Sequence, residues 1–371
     1  MDERPSEPTR RPDGAGTGPS AVAAVHLPGL YVEELRAWLE ARGEPAYRAG
    51  QILDWIYAKG AADFEAMSNL PRVLRTRLAG EAFIRRGQIA RELVSSDGTR
   101  KLLITWPDGT TCETVWIPEA SRNTACLSSQ IGCPIGCKFC ASGQAGFERN
   151  LTAGEIVEQA LAVETLIHAG GAVTGRGLTN IVLMGMGEPL ANYAEVIKAV
   201  RILNAPWGLE LGARRITLST VGLPRQIRRL AGEDLQLNLA VSLHAADDEL
   251  RQELIPGAKA PIGDVLAACA EYFRKTGREI TLEYVLLGGV NDSEVQARRL
   301  AKLARGLRCN VNLLRYNPVP GLPYRRPGSE ATHTFQQCLR SAGVNAHIRT
   351  SRGKDIDAAC GQLRRRMLEE I

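Results

Sequence analysis

The stretch Cys133-Pro134-Ile135-Gly136-Cys137-Lys138-Phe139-Cys140 places three of the chain's nine cysteines on one short loop. A structural zinc site normally takes four Cys or His ligands, and a cubane iron–sulfur cluster normally takes one thiolate per iron. Three thiolates would therefore leave one iron of a four-iron cluster open to a substrate or cofactor. The alternative is a zinc site completed by a distant cysteine such as Cys112 or Cys309.

Composition narrows the class of protein. The 371 residues, 44% of them hydrophobic, suffice for one large domain and a smaller one. The sequence contains no run of about 18 apolar residues, so no membrane span is predicted. The N-terminal residues lack the apolar region of a signal peptide. An odd number of cysteines is unlike a secreted disulfide framework, which favours a reducing, cytoplasmic location. The net charge of +5 is only a mild indication of a polyanionic partner.

Hydrophobic periodicity divides the chain into segments. The start is rich in Pro, Gly, Ser and Thr and is predicted to be disordered. Apolar residues then recur at helical spacing from Tyr31. The turn signals Ser96-Asp97-Gly98 and Pro107-Asp108-Gly109 separate three strands of an antiparallel meander. The predicted segments are a disordered tail (1–25), an N-terminal helical domain (26–85), a β meander linker (86–120), a main α/β domain (121–350) and a C-terminal segment (351–371).

The main domain alternates apolar strands and amphipathic helices. Six βα repeats predict a parallel sheet, and six are fewer than the eight of a closed barrel. The predicted fold class is therefore α/β, an open partial (βα)6 barrel. The predicted strands are 125–128, 181–184, 215–219, 237–243, 280–286 and 310–314. The predicted helices are 153–169, 193–203, 260–275, 294–304 and 332–342.

Polar and glycine-rich residues follow the predicted strands. The cysteine loop follows the first strand, and Gly185-Met186-Gly187-Glu188-Pro189 follows the second. Later strands end at Ser219-Thr220, at Ser242-Leu243-His244 and just before Asn317-Pro318. Functional residues of such sheets gather at the carboxyl ends of the strands. We therefore expect these segments to share one site.

The C-x3-C-x2-C spacing, with Phe139 before the third cysteine, resembles the radical S-adenosylmethionine (SAM) superfamily. The resemblance implies a radical-SAM barrel. It also implies one [4Fe-4S] cluster held by Cys133, Cys137 and Cys140, whose open iron binds SAM. Gly187 and Glu188 match the superfamily's glycine-rich segment after the second strand. Glycine there allows close approach of the backbone, and a carboxylate complements the amine of SAM.

Longer stretches narrow the resemblance. Residues 113–118, 126–133, 184–189 and 352–363 are similar to the adenine methyltransferases of the RlmN/Cfr class, and the likeness runs from about residue 27 to 365. It implies further SAM contacts at Ser219, Ser242, Leu243, His244 and Asn317. Considered alone, His244 is more typical of a structural histidine.

The same resemblance implies a mechanism. Adenine C2 lies between two ring nitrogens and does not attack a sulfonium methyl group, whereas a carbon radical adds to it readily. In this class one SAM methylates the cysteine that matches Cys360, and a second SAM provides the radical that activates this methyl group. Glu113 matches the proton acceptor. Cys126 matches the thiol that releases the RNA and leaves a transient disulfide with Cys360. Without the resemblance, Glu113 would be interpreted as a solvent-facing carboxylate and Cys126 as a buried strand thiol.

The implied partners are 23S rRNA, tRNA at the adenine next to the anticodon, and an electron donor such as flavodoxin with its reductase. A monomer without membrane association is expected. Two alternatives remain: methylation of adenine C8, as in antibiotic resistance of the Cfr type, and a non-catalytic, zinc-stabilised RNA-binding protein. Basic residues that could face RNA, although simple solvation explains most of them, are Arg42, Arg48, Lys59, Arg72, Arg75 and Arg77 of the helical module, and the runs Arg149-Asn150, Arg214-Arg215, Arg325-Arg326 and Arg364-Arg365-Arg366.

Overall fold

The computed structural model describes residues 24–170 and 177–363. Nearly all of the tail predicted to be disordered, and the basic run Arg364-Arg365-Arg366, lie outside these ranges. Within them, no helix is both long and apolar enough to cross a membrane.

The N-terminal region is helical, as its periodicity predicts. Leu35 and Leu39 on the first helix and Ile52 on the second are fully buried, so the apolar stripe forms the core of this module. Its elements are β1 (Val25–His26), α1 (Val32–Glu40), α2 (Arg48–Leu53), a π-helical turn (Asp54–Ala58), α3 (Arg72–Glu81) and β2 (Ala82–Phe83). β1 pairs in parallel with β2 and thereby closes the module.

Twelve further strands follow. They are β3 (Gln88–Val94), β4 (Arg100–Thr105), β5 (Thr111–Glu119), β6 (Arg122–Cys126), β7 (Gln130–Gly132), β8 (Phe147–Asn150), β9 (Asn180–Leu183), β10 (Ile216–Thr220), β11 (Asn238–Ser242), β12 (Ile280–Leu286), β13 (Cys309–Arg315) and β14 (Ala346–Arg349). Ten of them form one sheet in the order β14-β13-β12-β11-β10-β9-β6-β5-β4-β3, and β7 and β8 form a separate hairpin.

The sheet is parallel from β6 through β14 and antiparallel from β3 to β6. Its parallel part contains the six predicted strands, as β6 and β9–β13. The short strand β14, with the sequence Ala-His-Ile-Arg, was not predicted, because it lacks an apolar run. The meander continues the parallel sheet through the pairing of β5 with β6, which brings Val115 opposite Cys126.

Eight α-helices follow the N-terminal module in the described ranges. They are α4 (Ala141–Gln144), α5 (Ala153–Ala169), α6 (Tyr193–Asn204), α7 (Pro224–Leu230), α8 (Asp248–Leu254), α9 (Ile262–Thr276), α10 (Glu294–Ala304) and α11 (Ser329–Ser341). Five correspond to the predicted helices. The prediction omitted α4, α7 and α8, which are too short for a helical period to be recognised.

The helical module is docked on α5. Close approach is possible because Gly29 faces Gly154, where any side chain would meet backbone. Glu158 of α5 lies 3.2 Å from the His26 ring and accepts hydrogen bonds from the backbone of Arg86 and Gly87. These contacts fix the start of the meander relative to the parallel sheet.

Candidate active site

The cysteine loop is closed at its base by the β7–β8 hairpin. The amide of Cys133 donates to the carbonyl of Gly146 at 3.0 Å. Gly132 has φ +73°, and a β-carbon at this position would overlap the Gly146 carbonyl. Only glycine combines this backbone conformation with so close an approach. Gly132 therefore sets the point at which the cysteine loop leaves the hairpin.

An apolar cluster surrounds the three thiols. Ile135 and Phe139 pack with residues from the ends of several strands and helices, namely Val221, Leu254, Ile255, Ala258, Val285, Leu287 and Tyr316. Burial raises the pKa of Cys133 to about 12, and it also raises the pKa of Cys137 and Cys140. Thiols of this kind ligate only once a metal stabilises the thiolate. The loop therefore suits an iron centre in a water-poor pocket.

The two candidates for a fourth zinc ligand lie elsewhere. Cys112 is fully buried on β5, and Cys309 begins β13, with its thiol directed at the Ala304 carbonyl. In the described parts of the chain, no three Cys, His, Asp or Glu side chains converge as the ligands of a single metal ion do. A cubane differs because it spreads its thiolates over separate irons.

Glu188 ties the glycine-rich segment to the neighbouring strand end. Its carboxylate accepts hydrogen bonds from the amides of Leu190 (3.0 Å) and Val221 (2.8 Å), and its own amide donates to Gln130 Oε1 at 2.8 Å. Burial raises the pKa of Glu188 to about 7, although these hydrogen bonds oppose the rise. Gly187, with φ +103°, packs so closely on Gln130 that a β-carbon would not fit. The carboxylate is thus fixed beside the cysteine loop.

The next two strand ends carry small polar groups. The hydroxyls of Ser219 and Ser242 are 3.5 Å apart. Leu243 is fully buried, and its amide donates to the Glu283 carbonyl. His244 packs edge-on against Phe139, with ring centroids 5.1 Å apart.

The His244 ring is held in one neutral form. Its Nδ1 accepts a hydrogen bond from the Val285 amide at 3.0 Å, so the ring proton lies on Nε2. Burial, assisted by the charge of Arg251, lowers the pKa of His244 to about 3.

The C-terminal segment lies against the cysteine loop. The amide of Ala141 donates to the Gly361 carbonyl at 2.8 Å, and the Ser142 hydroxyl donates to the Leu363 carbonyl at 2.5 Å. From the end of β13, the side-chain amide of Asn317 donates to the Cys360 carbonyl at 3.4 Å. Cys360 itself is exposed.

Glu113 and Cys126 belong to the same neighbourhood. Glu113 is only 1% exposed, so the expectation of a solvent-facing carboxylate is wrong; its carboxylate is 3.0 Å from the Lys101 ammonium, which is also buried. Burial raises the pKa of Cys126, and the nearby Cys360 thiol contributes to the rise. All nine cysteines are free thiols, so the structure does not support a Cys126–Cys360 disulfide.

Comparison with known proteins identifies the two main parts of the chain. Residues 25–84 match the model of the ribosomal RNA large subunit methyltransferase N-terminal domain. Residues 127–301 match the model of the radical SAM superfamily.

Relatives extend this likeness over almost the whole chain. A probable dual-specificity RNA methyltransferase RlmN of Gloeobacter violaceus is 46% identical over 92% of this chain and 96% of its own length. A dual-specificity RNA methyltransferase RlmN of Rhodospirillum rubrum is 48% identical over 95% of this chain and 83% of its own. The chain belongs to the RlmN family. A crystal structure of a radical SAM methyltransferase from Sphaerobacter thermophilus agrees, with 48% identity and a TM-score of 0.89 over 92% of this chain and 99% of that chain.

Membership of the RlmN family confirms several predictions. The fold class is that of the radical-SAM barrel with a helical N-terminal domain and a short antiparallel segment. The protein is a SAM-dependent RNA methyltransferase, and its family implies a 4Fe-4S cluster and SAM. The non-catalytic zinc alternative is therefore not retained.

Two buried charged residues of the candidate site were not predicted from the sequence. Lys101 lies within the strand sequence Arg-Lys-Leu-Leu-Ile-Thr, and Glu283 interrupts the apolar strand β12. The Glu283 carboxylate accepts from the Asn312 side chain at 2.9 Å, and burial raises its pKa to about 7. Each of these charged residues lies in an otherwise apolar strand, and charged residues are seldom buried without a partner. This pattern was the available signal for a buried, paired charge.

Several basic residues that could have faced RNA are bound to acidic side chains. Arg149 pairs with both Asp108 and Glu155 and so fixes the second meander turn to α5. In the helical module, the ion pairs are Arg42–Glu81, Lys59–Asp54, Arg75–Glu65 and Arg77–Glu44. Ion pairs within the fold therefore account for four of the six candidates of the helical module and for Arg149.

Proposed function

We propose that this protein methylates C2 of a specific adenine in 23S rRNA and of the adenine next to the anticodon in tRNA, using two SAM molecules and an S-methylcysteine at Cys360. One observation carries the proposal. Cys126 on β6 is close to Cys360 of the C-terminal segment, Lys101 links the Glu113 carboxylate on β5 to the same segment, and this segment is hydrogen-bonded to the end of the cysteine loop. A buried carboxylate, a buried thiol and an accessible thiol are the three groups that this chemistry requires of the protein.

The cofactor contacts follow from the site. Cys133, Cys137 and Cys140 would hold one [4Fe-4S] cluster, since their desolvated thiols lie on one loop. SAM would lie against the strand ends, near Gly187, Glu188, Ser219, Ser242, Leu243, His244 and Asn317. When bound, these cofactors supply a 5′-deoxyadenosyl radical.

The surroundings of Cys360, Glu113 and Cys126 suit the role that each is proposed to play. Cys360 is accessible and can carry a methyl group to the base. Glu113 takes the proton that leaves the adenine ring. Because Cys126 is buried, its thiol is shielded from small molecules in solution. Because it is also close to Cys360, its thiol attacks the Cys360 sulfur. That attack breaks the bond between the Cys360 sulfur and the methylene carbon, which takes up a proton and becomes the methyl group of the released RNA. The one electron that the adenine ring loses together with its proton would return to the cluster. An electron donor such as flavodoxin with its reductase would supply the electron for SAM cleavage, and a cellular reductant reopens the transient disulfide. A monomer is sufficient for these steps.

A cluster of cations beside Cys360 suits RNA. Arg315 ends β13, and Arg326 donates to Asn317 Oδ1 at 3.5 Å. Burial and the charges of Arg326 and Arg315 lower the pKa of Lys354, six residues before Cys360. Burial and Arg315 likewise lower the pKa of Arg326. Mutual repulsion of this kind disfavours the free protein and is relieved when phosphates bind.

The test is mass spectrometry of nucleosides from 23S rRNA and tRNA after reaction with the reduced, cluster-loaded protein and SAM. We expect 2-methyladenosine in both RNAs. Detection of 8-methyladenosine alone would instead establish the Cfr-type activity, and methylation of rRNA only would remove tRNA from the proposal.

A further inference from the structure

Lys101 connects Glu113 with the segment that carries Cys360. Its ammonium lies 3.0 Å from the Glu113 carboxylate and donates to the Asp357 carbonyl at 3.0 Å. Both charged side chains are buried, with 2% and 1% of their surface exposed. One cation therefore contacts the carboxylate on β5 and the backbone three residues before Cys360.

The sheet register supports this connection. Lys101 is paired with Val115, and Val115 is paired with Cys126, so the three lie on the same face of the sheet. Glu113, two residues before Val115, also points to this face. Lys101 thus shares one face of the sheet with the carboxylate and with the buried thiol.

The turn just before Lys101 holds the same C-terminal segment. The Asp355 carboxylate accepts hydrogen bonds from the Ser95 hydroxyl (2.5 Å) and the Ser96 amide (2.9 Å). In the opposite direction, Asp97 accepts from the Gly353 amide at 3.0 Å. The meander turn and Lys101 together form one platform for the Cys360 segment.

Stability alone does not explain a buried Lys–Glu pair. The cost of removing both charges from water is comparable to the attraction between them, and apolar replacements are often as stable. Lys101 from β4 and Arg91 of β3, across a small cavity, face Glu113 on the same side of the sheet, whereas Cys112, its neighbour on β5, points to the other side. Lys101 is in ion-pair contact with Glu113.

We propose that Lys101 is a positioning residue for RNA methylation: through its ion pair with Glu113 and its hydrogen bond to the Asp357 carbonyl, it holds the Glu113 carboxylate in register with the Cys360 segment. The inference depends on the proposed function, in which Glu113 accepts the adenine proton. A proton acceptor that is displaced from the proton it removes reacts more slowly, so loss of the Lys101 contact should slow this step.

The experiment measures decay of the covalent RNA–protein adduct at pH 7, seen as a shifted band of labelled RNA in a denaturing gel. We expect Lys101→Met to form the adduct but to resolve it about tenfold more slowly than wild type, because the Glu113 carboxylate loses the contact that orients it. Lys101→Arg, which retains the charge, should stay within about threefold of wild type.

Controls separate positioning from damage to the fold. Lys275→Met removes an exposed lysine that pairs with Glu271 on α9 and should behave as wild type throughout. Lys101→Met should keep the wild-type iron content, and Glu113→Gln should form the adduct without resolving it. If Lys101→Met resolves the adduct at the wild-type rate, or if Lys101→Arg is as slow as Lys101→Met, the inference is wrong. If neither wild type nor Glu113→Gln forms an adduct, the proposed function fails with it.

Discussion

The two cysteine-bearing segments of the site are held in different ways. The loop of Cys133, Cys137 and Cys140 is closed by its own hairpin, through contacts between residues close in sequence. The segment of Cys360 depends on partners far along the chain, including Ser95 at a separation of 260 residues. The first can therefore be read from local spacing, whereas the second is defined only by tertiary structure. Substitutions in the cysteine loop and in the Cys360 segment should therefore differ in their effects on iron content, SAM cleavage and RNA methylation.

The largest expected effect separates the two segments by chemistry. Cys137→Ala should lose the cluster and with it both reductive SAM cleavage and RNA methylation, because a three-ligand site has no spare thiolate. Cys360→Ala should keep its iron and its SAM cleavage but yield no methylated RNA. Iron analysis, 5′-deoxyadenosine formation and nucleoside mass spectrometry distinguish these results.

Cys269→Ala is the matched control, since Cys269 is buried on α9 and has no proposed role. It should retain all three properties. Methylation by Cys360→Ala would contradict the role of this cysteine as methyl carrier.

The same contrast explains how much the sequence could predict. The parallel strands, the five longer helices and the cysteine loop carry local signals of period and spacing. The resemblance assigned Glu113 a role, but its contact with Lys101 could not be inferred, because that contact depends on how β4 and β5 pair. The anchoring of Asp355 on the meander turn was equally invisible, since it joins residues about 260 positions apart.

A backbone substitution at the base of the cysteine loop should have the next largest effect. Gly132→Ala places a side chain in left-handed backbone, which costs roughly 1–2 kcal/mol, and it also drives a β-carbon into the Gly146 carbonyl. We expect most of the bound iron to be lost while the secondary structure remains. Iron analysis and circular dichroism measure the two effects.

Gly136→Ala is the control, because it places a side chain in left-handed backbone without a steric clash. Gly136 also has a positive φ (+67°), but no atom lies near the position of its β-carbon. Its iron loss should be clearly smaller. Equal losses in the two variants would mean that the contact with Gly146 is unimportant.

Loosening the C-terminal segment should have a moderate effect. Asp355→Ala removes the acceptor of two hydrogen bonds from the meander turn. We expect methylation to slow by about three- to tenfold, because Cys360 spends less time in place, while iron content and SAM cleavage stay unchanged. Asp264→Ala, in the first turn of α9, is the control. A parallel loss of iron would show that the two cysteine segments are not independent.

The smallest effect concerns the cations beside Cys360. Arg326→Gln and Lys354→Gln each remove one charge from the cluster that contains Arg315, and neither residue touches the cysteine loop in the proposed scheme. If each cation neutralises one phosphate, each substitution should reduce the magnitude of the negative slope of log affinity against log salt concentration by about 0.7–0.9. Lys302→Gln, on α10, should leave the slope unchanged. The adduct should still resolve at the wild-type rate, since Glu113 and Lys101 are intact; slower resolution would mean that these cations act on chemistry as well as on RNA binding.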